Sequence, residues 1–134
     1  MIKIQQQDFD LEKEISAIKF KYSSVGAVST FIGYVRDINN NKEVTSIDLE
    51  VYQDMAFNSL EKIIEEAKKK WGLIDSLVIH RYGQLNISEK IVLVATFSMH
   101  RNDSIASCNY IIDFLKKDAP FWKKEFYNEK FNWL

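Results

Sequence analysis

A chain of 134 residues with 46% hydrophobic side chains has the length of one domain and enough apolar material for a packed core. Eighteen basic residues against nineteen acidic ones leave a formal net charge of -1, which argues against broad electrostatic capture of nucleic acid or of an anionic membrane surface. The single cysteine, Cys108, rules out a disulfide framework within the chain and fits a reducing compartment. Met1–Gln5 lacks the apolar centre of a signal peptide, and no run approaches the ~18 apolar residues that span a bilayer, so a soluble, cytoplasmic, single domain over 1–134 is expected.

Ile2–Gln6 alternates apolar and polar residues, the pattern of a short edge strand. Asp8 or Asp10 is placed to cap a helix over Leu11–Phe20, with Leu11, Ile15, Ala17 and Ile18 facing inward. Val25–Tyr34 is β-branched and aromatic and predicts a buried strand, within which Gly26 and Gly33 mark a bulge or a close backbone approach. Arg36 leaves that strand just before the polar loop 38–42. It is either a surface guanidinium paired with Asp37 or a neighbour, or a bidentate phosphate donor. Val44–Tyr52 alternates again and is expected to pair with the preceding strand. Asp54 is expected to cap a helix reaching Trp71, with Ala56, Leu60, Ile63, Ile64, Ala67 and Trp71 in one stripe. Lys68–Lys70 then forms a solvated C-terminus favoured by the helix dipole, and Gly72 stops the helix.

Ser76–Tyr82 and Lys90–Ser98 predict a hairpin, with Gly83 opening its turn. His80 inside the first strand reads as structural. The second strand ends at Met99-His100-Arg101, where the last helix begins with Asn102 or Asp103 as cap. A strand feeding a helix N-terminus is a natural anion site, and His100 and Arg101 would add charged donors, although caps also sit beside basic residues without any ligand. Ile105, Cys108, Ile111, Ile112 and Leu115 define the apolar side of this helix, so Cys108 reads as a buried small hydrophobe. Lys116 lies ~20° from Ile105 on the helical wheel. It therefore borders the expected buried side with a partly desolvated ammonium, unless its stem packs and its head stays in water. Lys117 points away.

Pro120 stops the helix and makes Ala119 extended. Phe121 and Trp122 are then expected to pack back, with Lys123 or Lys124 facing the cleft of Lys116. The tail 126–134 carries Tyr127, Phe131 and Trp133, suited to docking on the core or on a second subunit. Together these elements predict an α+β fold with antiparallel strands in a mixed arrangement and about three packed helices.

No Cys/His or Ser/His/Asp set, P-loop or dinucleotide fingerprint is present, and the histidines and lone cysteine make no structural metal site. No cofactor is implied. What remains is Arg36, His100, Arg101, Lys116 and Lys123, all donors. Such a set suits a phosphorylated or otherwise anionic substrate, with any nucleophile arriving from outside.

Several collinear runs resemble one family. They are Gly26-Ala27-Val28 with Thr30-Phe31-Ile32-Gly33, Val35-Arg36-Asp37, Leu49-Glu50-Val51-Tyr52, Ala67 to Trp71-Gly72, and Val78-Ile79-His80-Arg81 with Gly83. His100-Arg101 follows, then Leu115-Lys116 with Ala119-Pro120-Phe121-Trp122-Lys123-Lys124-Glu125. The chain is similar over roughly residues 25–125 to the large, catalytic subunit of molybdopterin synthase, the MoaE family. The resemblance implies an α/β-hammerhead-like fold and a sulfurtransferase that forms a homodimer within a heterotetramer. The sulfur would come from the C-terminal Gly-Gly thiocarboxylate of a small ubiquitin-like carrier subunit. It would pass twice to cyclic pyranopterin monophosphate, building the dithiolene of molybdopterin.

By the same resemblance Lys116 lies beside the partner's C-terminus and Lys123 is the second catalytic lysine. Arg36, His100 and Arg101 hold phosphate and pterin, some of them across the dimer, and Phe31 is an aromatic near the pocket. Two departures stand out. Asn132 occupies the place of an arginine common among relatives, with Lys130 as the candidate substitute, and Asn86-Ile87-Ser88-Glu89 lacks a glycine usual in that turn. A non-catalytic module for a phosphorylated metabolite and a partner-recruiting scaffold remain as alternatives at this point.

Overall fold

The computed structural model describes residues 1–39 and 41–127, and within them three helices and eight strands arranged in two sheets. The first sheet has the order β1 (Ile2–Gln5), β5 (Asp75–Arg81), β7 (Lys90–Ser98), β2 (Ala27–Tyr34). β1 runs parallel to β5, and the other two pairings are antiparallel. β5 and β7 are buried along almost their whole length because both faces of this sheet are covered. On one face α1 (Leu11–Lys19) presents Ile15 and Ile18 to Phe9, Leu77, Ile79, Leu93 and Phe97. On the other, Leu60 and Ala67 of α2 (Gln53–Trp71) and Cys108 and Ile111 of α3 (Arg101–Lys117) meet Val78, Val92 and Val94. Each such large aliphatic side chain stabilises the fold by about 1.5–3 kcal/mol on burial.

The α+β class, the edge position of β1 and the β5–β7 pairing agree with the sequence reading. Asp10 caps α1, its carboxylate accepting the Lys13 N–H at 3.1 Å, while Ala17 is exposed rather than inward. Gly72 closes α2 at φ 59°, a left-handed conformation that glycine adopts without strain. The other two caps differ from expectation. Tyr52 and His100 hold the N-cap positions of α2 and α3 without side-chain cap bonds, and Asp54, Asn102 and Asp103 lie inside the helices.

The second sheet is built on β4 (Lys42–Val51), which pairs with β3 (Ile38–Asn39), β6 (Gly83–Asn86) and β8 (Phe121–Tyr127). Ile47 faces Leu85 on one side and Glu125 on the other, so β4 is central. Val35, Val44, Ile47, Leu49 and Leu85 form its core.

Three expectations are corrected here. β4 does not pair with β2, whose partner is β7; alternation reports a buried face, not the sheet that buries it. Gly83, at φ 88°, opens a strand rather than a turn. Phe121 and Trp122 do pack back, but as the start of a strand that was not expected, Phe121–Tyr127, with every residue from Phe121 to Phe126 registered on β4. The turn that lacks glycine is closed by Ser88 at φ 70° and by Glu89, whose carboxylate accepts the Asn86 N–H at 2.6 Å. Among the described residues no helix is long and apolar enough to cross a membrane.

Candidate active site

Alternation along β8 sends neighbouring side chains to opposite faces of the sheet. Lys123 and Glu125 line a cavity of about 60 Å³ with Tyr34, Arg36 and Asn39, floored by Val44, Ile47 and Ile91. Trp122 lies on the other face, in an open groove of about 570 Å³, where its ring meets Tyr52 edge-on at 4.9 Å. In the cavity Lys123 Nζ is 3.1 Å from Glu125 Oε1. Asn39 Nδ2 donates to the same oxygen at 2.5 Å, and the Tyr127 hydroxyl donates to Oε2 at 3.2 Å. Burial alone would raise the Glu125 carboxyl. The hydrogen bond and charge of Lys123, with the bonds from Asn39 and Tyr127, outweigh it and hold the group below the ordinary carboxylate range. Sequence reading missed Glu125; its one signal was a position two residues after Lys123, hence on the same face of a strand.

β8 is fastened to the first sheet at its start. The chain turns at Ala119-Pro120, and the Phe121 ring stacks on His80 at 3.7 Å with an interplanar angle of 18°. His80 is buried, with Nδ1 2.8 Å from the Arg81 carbonyl oxygen. Burial pushes its imidazole down to about 4, only partly opposed by that hydrogen bond. The structural role expected for His80 is therefore the one observed.

A pH signature follows from this histidine. As pH falls through the ordinary value of 6.5, the unfolded chain takes up a proton that the folded chain refuses until about 4. The histidine's contribution to stability is thus constant above that window, falls within it, and levels off below, losing about 3 kcal/mol in all. Urea midpoints measured across the window should decline accordingly, and the His80 ring resonances should titrate near 4.

The β7–α3 junction lies where expected. His100 is the N-cap and Arg101 the first helical residue, both exposed. The Gly26 N–H donates to Ser98 O at 2.9 Å, and a Cβ on Gly26 would collide with the Met99 carbonyl oxygen. Only glycine lets the chain entering β2 come this close to the junction. Gly26→Ala should therefore displace Met99–Arg101 and destabilise by about 1–3 kcal/mol, read as a lowered urea midpoint.

Lys116 requires a correction. It does share the direction of Ile105 around α3, but Ile105 is 59% exposed. The buried face is Ser104, Ser107, Cys108 and Ile111, so Lys116 is exposed in the single chain and the expected desolvation is not found. The serines occupy the inner face because their hydroxyls are satisfied there. Ser104 Oγ donates to Arg101 O at 3.0 Å and lies 2.7 Å from Ser29 Oγ, and Ser107 Oγ donates to Asp103 O at 2.6 Å. Cys108 is buried as expected, and burial pushes its thiol up to about 11.

Phe31 sits half-buried in β2 opposite Val94, among the apolar residues beneath α2 and α3. The structure thus brings Arg36 and Lys123 to one cavity and places His100, Arg101, Lys116 and Phe31 outside its lining. His100 and Lys116 stand at opposite ends of α3, about 24 Å apart along its axis. Lys130 and Asn132 lie outside the described residues.

The profile of the MoaE protein family matches residues 4–118. The molybdopterin synthase catalytic subunit of Ralstonia nicotianae is 48% identical over 124 residues, covering 92% of this chain and 70% of that protein. The catalytic subunit from Pseudomonas aeruginosa is 41% identical over 133 residues, covering 99% and 89%. The chain belongs to the MoaE family. A MoaE protein from Burkholderia ambifaria shares its fold with a TM-score of 0.85 at 41% identity, over 95% of this chain and 87% of that one. Molybdopterin synthase from Staphylococcus aureus does so with a TM-score of 0.85 at 32% identity, over 95% and 91%. In this MoaE-family chain the Ala119-Pro120-Phe121-Trp122-Lys123 run is the turn from α3 into β8, and Val78-Ile79-His80-Arg81 is the strand that receives Phe121.

Proposed function

We propose that this chain is the catalytic subunit of a molybdopterin synthase, a sulfurtransferase of molybdenum cofactor biosynthesis. It takes sulfur from the C-terminal thiocarboxylate of a small ubiquitin-like partner and delivers it, twice, to cyclic pyranopterin monophosphate. The observation that carries this reading is the convergence of Arg36 and Lys123 over an apolar floor in a MoaE-family chain. A guanidinium suits the phosphate, and an ammonium beside it can serve the reacting side chain of the pterin. The chain needs no nucleophile, because the sulfur arrives on the partner. Cys108, buried and with its thiol raised, is unsuited to that task.

Each transfer forms a bond between the thiocarboxylate sulfur and a pterin side-chain carbon while a carbon–oxygen bond at that carbon breaks, the oxygen leaving with the ring-opened phosphate in one transfer and as water in the other. Water then cleaves the acyl C–S bond, leaving sulfur on the substrate and a carboxylate on the partner. Lys116 stabilises the thiocarboxylate and the acyl intermediate. Lys123 transfers protons at the pterin side chain. Arg36, His100 and Arg101 neutralise the phosphate as the cyclic ester opens to a terminal one, and Phe31 borders the pterin. The length of α3 supports a composite site, in which the His100–Arg101 end of one copy serves the Lys116–Lys123 end of the other. The assembly is a homodimer with one small subunit at each end, made of single-domain chains and working in the cytoplasm.

Titration of cyclic pyranopterin monophosphate into the protein tests the substrate assignment. Arg36→Ala should weaken binding about 10- to 100-fold, as expected for a lost charge-assisted phosphate contact of about 1.5–3 kcal/mol. Unchanged affinity would remove Arg36 from the site.

A further inference from the structure

We propose that Glu125 is a positioning residue for Lys123, and that through Asn39 it fixes the strand carrying Lys123 to the segment carrying Arg36. The inference rests on the reading of Lys123 as a site residue.

A lysine on a strand has a long, rotamer-rich side chain, and Lys123 is about half exposed. An ammonium that must act at one atom needs a holder. Glu125 stands two residues on, on the same face of β8, with its side chain only 11% exposed. Its oxygens accept from Lys123 at 3.1 Å, Asn39 at 2.5 Å and Tyr127 at 3.2 Å. Asn39 belongs to β3, three residues after Arg36. One carboxylate therefore joins the two segments that supply the cations of the cavity.

Two considerations weigh against a purely stabilising role. An ion pair with a half-exposed lysine contributes about 0–1 kcal/mol, too little to justify an ionised carboxylate there. Among the described residues Glu125 is also the only acidic one lining this cavity. In a site for an anionic substrate a carboxylate repels the ligand, so its presence calls for a compensating task. Holding Lys123 is the task its contacts describe. The same geometry leaves Arg36 free of Glu125 among the described ion pairs, available for the phosphate.

The test uses Glu125→Gln and Asn39→Ala in the full chain. Glu125→Gln keeps the size of the side chain and removes its charge. In the ligand-free protein, side-chain ¹⁵N spectra should show the Lys123 ammonium signal shifted or broadened, with the other lysine signals and the urea midpoint unchanged. In the reconstituted reaction kcat should fall about 10- to 100-fold with KM for the pterin within about threefold, as for a reacting group displaced by about an ångström. Asn39→Ala should shift the same Lys123 signal and lower kcat by a smaller factor. An unmoved Lys123 signal, or a loss confined to KM, overturns the proposal. If the wild-type protein transfers no sulfur, the functional reading fails, while the ammonium spectra still decide whether Glu125 holds Lys123.

Discussion

Lys123→Ala should lower the rate of sulfur transfer by about 100- to 10,000-fold, the range for a lost general acid or base. It should do so without unfolding the protein. Lys123 is about half exposed, and an ion pair with a half-exposed lysine contributes little, so stability should change by no more than about 1 kcal/mol. The control lies one residue further on. Lys124 points to the opposite face of β8, where its ammonium lies 5.6 Å from the Phe126 ring centroid. Lys124→Ala removes an equal charge from the same strand and should leave the rate within about twofold, as expected of an exposed substitution away from the site. Single-turnover rates beside thermal unfolding curves separate the two. Equal losses from both variants would mean that net positive charge, not the position of one ammonium, drives the reaction.

Mixing two inactive variants should restore activity. Lys116 and Arg101 stand near opposite ends of α3, about 22 Å apart along its axis, too far to meet at one small substrate within a chain. If each site draws Lys116 from one copy and Arg101 from the other, a dimer of Lys116→Ala with Arg101→Ala has one doubly altered site and one intact site. After subunit exchange half of the dimers are mixed, so activity should return to about a quarter of wild type. Each variant alone should stay near background. Lys117→Ala, next to Lys116 but pointing elsewhere on the helix, should behave like wild type. Absence of recovery on mixing would place both residues in one chain's site, or one of them outside it.

Much of the first sheet was legible because its strands are long and their periodicity strong. Val25–Tyr34, Ser76–Tyr82 and Lys90–Ser98 carry β-branched runs that nothing but a buried strand would use. Of the second sheet only the central strand β4 was legible, as Val44–Tyr52, while its neighbours were missed for identifiable reasons. β6 offers one buried apolar residue, Leu85, in four positions. In β8 the charges of Lys123-Lys124-Glu125 interrupt the apolar pattern, because the face that would be core elsewhere lines a charged cavity. Those charges override the local signal there, and that is where sequence reading erred.

Lys116 shows a different failure. The wheel placed it correctly beside Ile105, but apolarity was taken for burial, whereas Ser104 and Ser107 hold the inner face through hydroxyl bonds to backbone carbonyls. Arg36, His100 and Arg101 were singled out because a strand mouth and a helix start are simple positions to read, and the structure places them at those positions. Which of them share a site depends on tertiary placement and, in the proposed dimer, on a second copy, and neither is written in local pattern.

The most direct test of the functional account is reconstitution. The protein is mixed with a thiocarboxylated small ubiquitin-like subunit and cyclic pyranopterin monophosphate, and the product is followed by the fluorescence of its oxidised form. The account predicts a dithiolene product with two sulfurs per pterin and two partner carboxylates released. No product, under conditions in which the Pseudomonas aeruginosa relative turns over, would contradict it.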